Sequence, residues 1–214
     1  MVRKLSSEQN VKVSFQPIDA LQSHFDALAL QVRGWAGRRS RVLSLGVMGV
    51  ASQVGASTVA RNLANSLAES SFAGKVALVT AENEQVGAAG LIQVLVQEKQ
   101  LENCLANGWR ENLKLLPFGR MANNESRAIP WAKLSDFVQR EMLSFDFVVF
   151  DLLSPSTSNL SQTIASQLDG LLLVCGAGVG IPAEMNQLRR FLRDFPVEIL
   201  GKVINRSIET GQTR

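Results

Sequence analysis

Apolar and polar positions follow two different periods along the chain. Short, almost continuously apolar runs are typical of strands buried on both faces of a sheet, and the segments after them have the spacing of amphipathic helices. The runs predict strands at residues 42–48, 76–79, 113–116, 147–150, 170–175 and 197–204, and the segments between them predict helices at residues 57–68, 88–97, 131–143, 160–167 and 182–193. This alternation predicts an α/β fold, with a mainly parallel sheet and helices on both faces.

The first forty residues differ from this pattern. A helical apolar stripe over residues 18–32 is formed by Ile18, Leu21, Phe25, Leu28 and Val32, and the stripe is expected to pack within the chain. A basic turn follows, whose arginines would contact phosphate, an acidic partner or lipid headgroups, or would simply be solvated: Arg33, Arg38, Arg39 and Arg41. The predicted organisation is a mobile tail, an N-terminal helix with the basic turn, one α/β domain and a C-terminal tail, at residues 1–16, 17–40, 41–206 and 207–214.

Composition excludes several classes of function. The 214 residues are 46% hydrophobic, and no window approaches a membrane-spanning run, so direct membrane insertion is not expected. The net charge of +3 is too small to indicate nucleic-acid binding. The chain has only two cysteines and one histidine, His24, which are too few to indicate a disulfide framework, a zinc site or a histidine-dependent catalytic triad. The chain also contains no tyrosine.

A degenerate phosphate-binding loop follows the first predicted strand. Such loops read G-x-x-x-x-G-K-[ST], in which the lysine neutralises phosphate oxygens and the hydroxyl residue holds magnesium. Here Gly55 is followed by Ala56 at the lysine position and then by Ser57 and Thr58. The hydroxyl groups are kept and the positive charge is lost. Taken alone, this stretch would also suit an ordinary capped helix N-terminus.

The surrounding residues make a more specific resemblance. The segment Gly55-Ala-Ser-Thr-x-x-x-Asn-Leu-Ala resembles the G-K-S-T-x-x-x-N-L-A of the deviant-Walker ParA/MinD superfamily, and in particular of the bacterial tyrosine kinases (BY-kinases, CpsD/CapB type) of polysaccharide export. Further segments resemble that family in order and spacing, at residues 75–82, 113–119, 145–151, 168–174 and 200–205. The resemblance implies a P-loop NTPase-like domain over residues 41–206.

The resemblance also implies which residues form the nucleotide site and which family residues are missing. The implied vestigial ATP and magnesium site consists of Gly55, Ser57, Thr58, Asp151 and Asn205. Asp151 is either a surviving magnesium ligand or a strand-end cap, and Asn205 is either an adenine contact or an ordinary strand exit. The family's lysines and two aspartates are replaced by Ala56, Ala51, Thr80 and Glu82. The chain also lacks the family's tyrosine cluster and, in residues 18–32, its E-x-x-R-x-x-R motif.

These departures predict a pseudoenzyme with no catalytic residues, no metal site and no cofactor. The first hypothesis is an interaction module that docks on a membrane polysaccharide co-polymerase or export protein, as a monomer or homodimer. It would be cytoplasmic and peripheral to the inner membrane through that partner. The second is a weakly active ATPase, or a kinase acting in trans, that takes a cation from Arg61 or a neighbouring subunit. The third is a ParA/MinD-like or cellulose-synthesis accessory protein.

Overall fold

The computed structural model describes residues 19–37, 41–69, 74–80, 89–119, 129–154, 159–176 and 197–206, together with the single helical residues 186, 190 and 193. Seven strands are present in these ranges: β1 (Leu43–Gly49), β2 (Val76–Thr80), β3 (Ala106–Asn107), β4 (Leu113–Pro117), β5 (Phe147–Leu152), β6 (Gly170–Gly176) and β7 (Ile199–Asn205). They form one sheet in the order β3-β4-β2-β5-β1-β6-β7, in which only β3 is antiparallel to its neighbour.

The structure gives bounds for five α-helices in the described ranges: α1 (Gln22–Ala36), α2 (Ala56–Glu69), α3 (Leu91–Leu95), α4 (Leu134–Glu141) and α5 (Asn159–Ala165). Short 3-10 helices occupy Asp19–Leu21, Leu101–Asn103 and Trp131–Lys133. The predicted helix at residues 88–97 is shorter than expected, and Gln97 adopts a positive φ of 62° just after it. The predicted helix at 182–193 lies almost entirely outside the described residues, as do the predicted tails.

Continuous burial explains why the strand predictions hold. Every residue of β1, β2 and β5 is buried, and Val149 and Phe150 at the centre of the sheet have no exposed surface. Strands covered on both faces must be apolar at successive positions, because neither face meets water. The predicted α/β fold with a mainly parallel sheet is therefore confirmed.

Helix α1 packs within the chain, on a face that shares Phe25 and Val32 with the predicted stripe. Its buried residues are Phe25, Ala29, Val32 and Ala36, whereas Leu21 is 36% exposed and Leu28 is only partly buried. The helix lies against α2, where Gln22 donates a hydrogen bond to Ser66 at 3.1 Å. The prediction left out the alanines Ala29 and Ala36, which are buried. Ile18 lies outside the described residues.

Two arginines of the basic turn have internal partners. Arg33 donates to the carbonyl of Leu67 at 2.7 Å and lies 5.5 Å from the centre of the Phe147 ring. Burial lowers the pKa of Arg33, and the nearby Asp146 carboxylate partly offsets this effect. Arg41 forms an ion pair of 2.7 Å with Asp169. The solvated-linker reading is therefore wrong for Arg33, whereas Arg41 is paired and still exposed, and Arg38 and Arg39 lie outside the described residues.

Candidate functional site

The candidate site is the loop that joins β1 to α2 at the carboxyl end of the sheet. Strand β1 lies between β5 and β6, and the chain continues beyond β1 with the Val50 N–H donating to Val174 of β6 at 2.9 Å. Helix α2 begins at Ala56, and the Val59 N–H donates to the Gly55 carbonyl at 3.0 Å. Ligands of open α/β sheets bind at this edge, where helix N-termini present free N–H groups.

Two of the predicted site residues contact each other directly. The Ser57 hydroxyl donates a hydrogen bond of 3.0 Å to Oδ1 of Asp151. Asp151 is 6% exposed and lies in β5 beside Val47 of β1, which places its carboxylate below the start of α2. A hydroxyl and a carboxylate together are the hard oxygen donors that magnesium prefers. The Ser57–Asp151 contact thus brings together oxygen atoms of the kind that ligate magnesium.

Asn205 contacts the loop from the end of β7. Its side-chain amide donates to the carbonyl of Val54 at 3.1 Å. Gly55 next to it has a φ of 84°, and a Cβ atom at this position would collide with the Asn205 amide nitrogen. Glycine is needed here because of both the left-handed backbone and the close approach. Asn205 thus holds the loop. The sequence analysis had interpreted it only as an adenine contact or as an ordinary strand exit.

Thr58 has a different environment from its neighbour Ser57. Its side chain is exposed, and its carbonyl accepts a hydrogen bond of 2.8 Å from the amide of Asn62, which is 1% exposed. The asparagine of the N-L-A motif therefore supports the first turn of α2 from inside. The four vestigial positions in the loop, α2 and β5 do lie together, and Asn205 joins them.

Two further features of the loop were missed at the sequence level. Gln53 adopts a φ of 60°, a conformation that glycine adopts at lower cost than other residues. The hydroxyls of Ser52 and Ser154 lie 3.5 Å apart and connect the loop to the segment after β5. No composition or spacing signal marks a glutamine as left-handed.

The family's missing charges map onto the same edge. Ala56 is the first residue of α2, Ala51 is buried, and Thr80 is the buried last residue of β2. Because β2 pairs with β5, Thr80 lies near the level of Asp151. Glu82 lies outside the described residues. Among the described positions of the implied nucleotide site, Asp151 alone has an ionisable side chain.

Within the described ranges, no cluster of three or more histidine, cysteine, aspartate or glutamate side chains would hold a metal ion. None of the helices in that part of the chain is long and apolar enough to cross a bilayer.

Comparison with solved structures identifies the fold. The chain is similar to the kinase domain of the Escherichia coli tyrosine kinase Etk, with a TM-score of 0.76 and 17% identity over 99% of this chain and 87% of that one. It is similar to the chimerical protein CapA2B2, with a TM-score of 0.72 and 21% identity over 89% of this chain and 87% of that one. A ParA family ATPase from Chlorobium tepidum gives a TM-score of 0.61 and 16% identity, over 80% of this chain and 76% of that one.

Sequence comparison adds nothing to this result, since no model of a protein family and no curated protein matches the chain. The order of the strands, the loop after β1 and these structural similarities agree with one another. The chain therefore has the P-loop NTPase-like fold that bacterial tyrosine-kinase domains and ParA-type ATPases share.

Proposed function

We propose that the chain is a catalytically inactive BY-kinase-like module that acts by docking on a membrane polysaccharide co-polymerase or export protein. The observation that carries the proposal is a phosphate loop with its framework kept and its charges removed. Ser57 still contacts Asp151 at 3.0 Å, while Ala56 and Thr80 stand where the family has a cation and an acid. A protein selected only for binding would keep its fold and lose its catalytic residues.

The residues present do not fit a catalytically competent magnesium nucleotide. A charge-assisted contact contributes about 1.5–3 kcal/mol to phosphate binding, so the alanine methyl of residue 56 removes a substantial part of the affinity. The loss is larger in the transition state, where one cation contributes roughly three to five powers of ten in rate. The Thr80 hydroxyl also cannot act as a base at neutral pH.

The nature of the partner is proposed from the resemblance of the loop and strand motifs to the kinases of polysaccharide export. Those motifs lie largely on the buried strands that build the sheet, so they support a shared fold even where the charged residues are replaced. The membrane-embedded partner is proposed by analogy with the kinases that share this fold. The proposed location is the cytoplasmic face of the inner membrane, reached through that partner.

One observation favours a second candidate function. The Ser57–Asp151 pair keeps the donors for magnesium, which would suit a weak ATPase or a kinase acting in trans. Such an enzyme would need a cation from another source. Arg61, four residues after Ser57 on α2 and partly buried, is the candidate within the chain.

Affinity purification combined with a turnover assay tests the proposal. The tagged full chain is recovered from detergent-solubilised membranes of its own host, and the purified chain is assayed with magnesium and radiolabelled ATP. We expect a polysaccharide co-polymerase or export protein to be recovered, with no hydrolysis or phosphotransfer above that of the Asp151→Ala variant. Turnover that Asp151→Ala abolishes would support the enzyme alternative and contradict the proposal.

A further inference from the structure

The last strand of the sheet has an irregular register with a clear consequence. Leu171 of β6 pairs with Ile199 of β7, but the next residue of β6, Leu172, pairs with Gly201, so that Leu200 forms a bulge. After the bulge, Leu173 pairs with Lys202 and Cys175 pairs with Ile204. A bulge shifts the alternation of side chains by one residue. It therefore brings Ile199 onto the same face as Lys202 and Ile204.

This face of β7 is exposed along its whole length. Ile199 is 39% exposed and Ile204 is 54% exposed, and Lys202 and Arg206 are exposed as well. Leu200, Gly201, Val203 and Asn205 on the opposite face are only partly exposed. We call the exposed set, Ile199, Lys202, Ile204 and Arg206, the outer face of β7. It alternates isoleucine with cation.

The backbone of β7 is also open to a partner. β7 is the terminal strand of the sheet formed by the described residues, with β6 as its neighbour on one side. An edge strand presents backbone N–H and C=O groups that pair readily with an incoming strand. Strand addition uses these groups for affinity and alternate side chains for specificity.

We propose that the outer face of β7 binds an extended protein segment in which acidic residues alternate with apolar ones. Cross-strand pairing would place a carboxylate opposite Lys202, an apolar side chain opposite Ile204 and a second carboxylate opposite Arg206. Within the described part of the chain, neither cation forms an ion pair, and the surface is therefore charge-complementary to an acidic segment. The inference deepens the proposed function and rests on it, since it names the chemistry of the partner that the module binds.

Two other occupants fit the surface less well. A second copy paired edge to edge would bring the lysine and arginine rows of both chains together, and like charges in close pairs are destabilising. An anionic lipid surface would be attracted by only two cations and would leave the strand edge unpaired. A protein strand with this alternation would pair with the cations, cover the isoleucines and form hydrogen bonds with the strand backbone.

Photo-crosslinking in the native host tests the proposal. Benzoylphenylalanine is placed at residue 204 of the full chain, and a matched control carries it at residue 30 of α1, where Leu30 is 64% exposed. We expect an adduct from residue 204 that residue 30 does not give. The partner peptide in this adduct should contain acidic residues that alternate with apolar ones. The double variant Lys202→Glu, Arg206→Glu should lower the yield about tenfold, whereas Lys133→Glu should not.

Each contrary result overturns the proposal. Equal adducts from residues 30 and 204, a partner peptide without acidic residues, a lipid or self adduct, or a yield that survives charge reversal in a variant with unchanged melting temperature would all contradict it. If the co-polymerase is recovered equally with wild type and the double variant, the surface is wrong and the proposed function stands. If the acidic segment belongs to a protein unrelated to polysaccharide export, the surface stands and the proposed function fails.

Discussion

At the scale of single residues, the contact between Gly55 and Asn205 holds the candidate loop. The glycine has a φ of 84°, and the Asn205 amide donates to the neighbouring Val54 carbonyl at 3.1 Å. Any side chain at residue 55 is opposed by the backbone and by the amide together. The loop keeps this arrangement although alanine occupies residue 56, where phosphate-binding loops have a lysine.

Substitution of this glycine tests the arrangement. Gly55→Ala should lower the free energy of unfolding by about 1–3 kcal/mol, because alanine is strained at positive φ and meets the Asn205 amide. Adding Asn205→Ala should cost less in this background than in the wild type, since it removes the clash. The control is Gly34→Ala on the exposed side of α1, where a Cβ meets nothing within 4 Å and should stabilise by about 0.5–1 kcal/mol. Urea denaturation measures all four variants, and additive effects at residues 55 and 205 would contradict the contact.

The thiol of Cys175 reports on the outer face of β7. Burial raises the pKa of the Cys175 thiol, and the Lys202 ammonium partly offsets this shift. Lys202→Glu removes the offsetting cation, so the pKa should rise further and the reactive thiolate become scarcer at neutral pH. We expect alkylation of Cys175 by iodoacetamide to slow by a few-fold, measured by mass spectrometry of each cysteine peptide.

Cys104 provides the control for this measurement in the same molecule. Its thiol pKa is also raised by burial and is lowered by Lys99, which the substitution leaves in place. Equal slowing at both cysteines would indicate a general change in the fold, and no slowing at Cys175 would show that Lys202 does not act on it.

At the scale of elements, α1 is an integral part of the domain. Its residue Phe25 is 8% exposed and joins the main hydrophobic core. Phe25→Ala should lower the free energy of unfolding by about 3–5 kcal/mol, whereas Leu30→Ala, at a 64% exposed position of the same helix, should change it by at most about 0.5 kcal/mol. Thermal and urea unfolding check both. Equal, small effects would mean that the core does not depend on the helix.

Burial on both faces made the central strands β1, β2 and β5 predictable, because they read as continuous apolar runs. The half-exposed β7 was predicted from its apolar, β-branched residues, whereas β3, with only Ala106 and Asn107, has no such pattern and was missed. The six predicted strands agree with the structure within two residues at their ends. The stripe of α1 was predicted only in part, because the small residues Ala29 and Ala36 are buried as well.

The candidate site was predictable to the extent that its residues are close in sequence or follow a known motif. Ser57 and Asp151 are brought together by neighbouring strands, as the motif implied. The bond from Asn205 to Val54 spans 151 positions and depends on where β7 lies, which no local pattern specifies. The left-handed Gln53 was invisible for a similar reason, since the surrounding fold imposes its conformation.

At the scale of the whole molecule, we expect a monomer or a homodimer, and not a ring of many subunits. The apolar side of α1 is used within the chain, and its exposed side carries polar residues such as His24, Asp26 and Gln31 without the family's charged motif. Light scattering coupled to size-exclusion chromatography measures the mass directly. A ring-sized particle at micromolar protein concentration would contradict this expectation.

We propose that this chain keeps a P-loop fold without its nucleotide chemistry. Isothermal calorimetry with ATP and magnesium tests it most directly, using the wild type and the variant Ala56→Lys, which returns the missing cation to the start of α2. We expect the wild type not to bind ATP at submillimolar concentrations. We expect Ala56→Lys to bind measurably, because the backbone N–H groups of residues 55–58 still lie at a helix N-terminus. Micromolar affinity in the wild type would contradict this proposal.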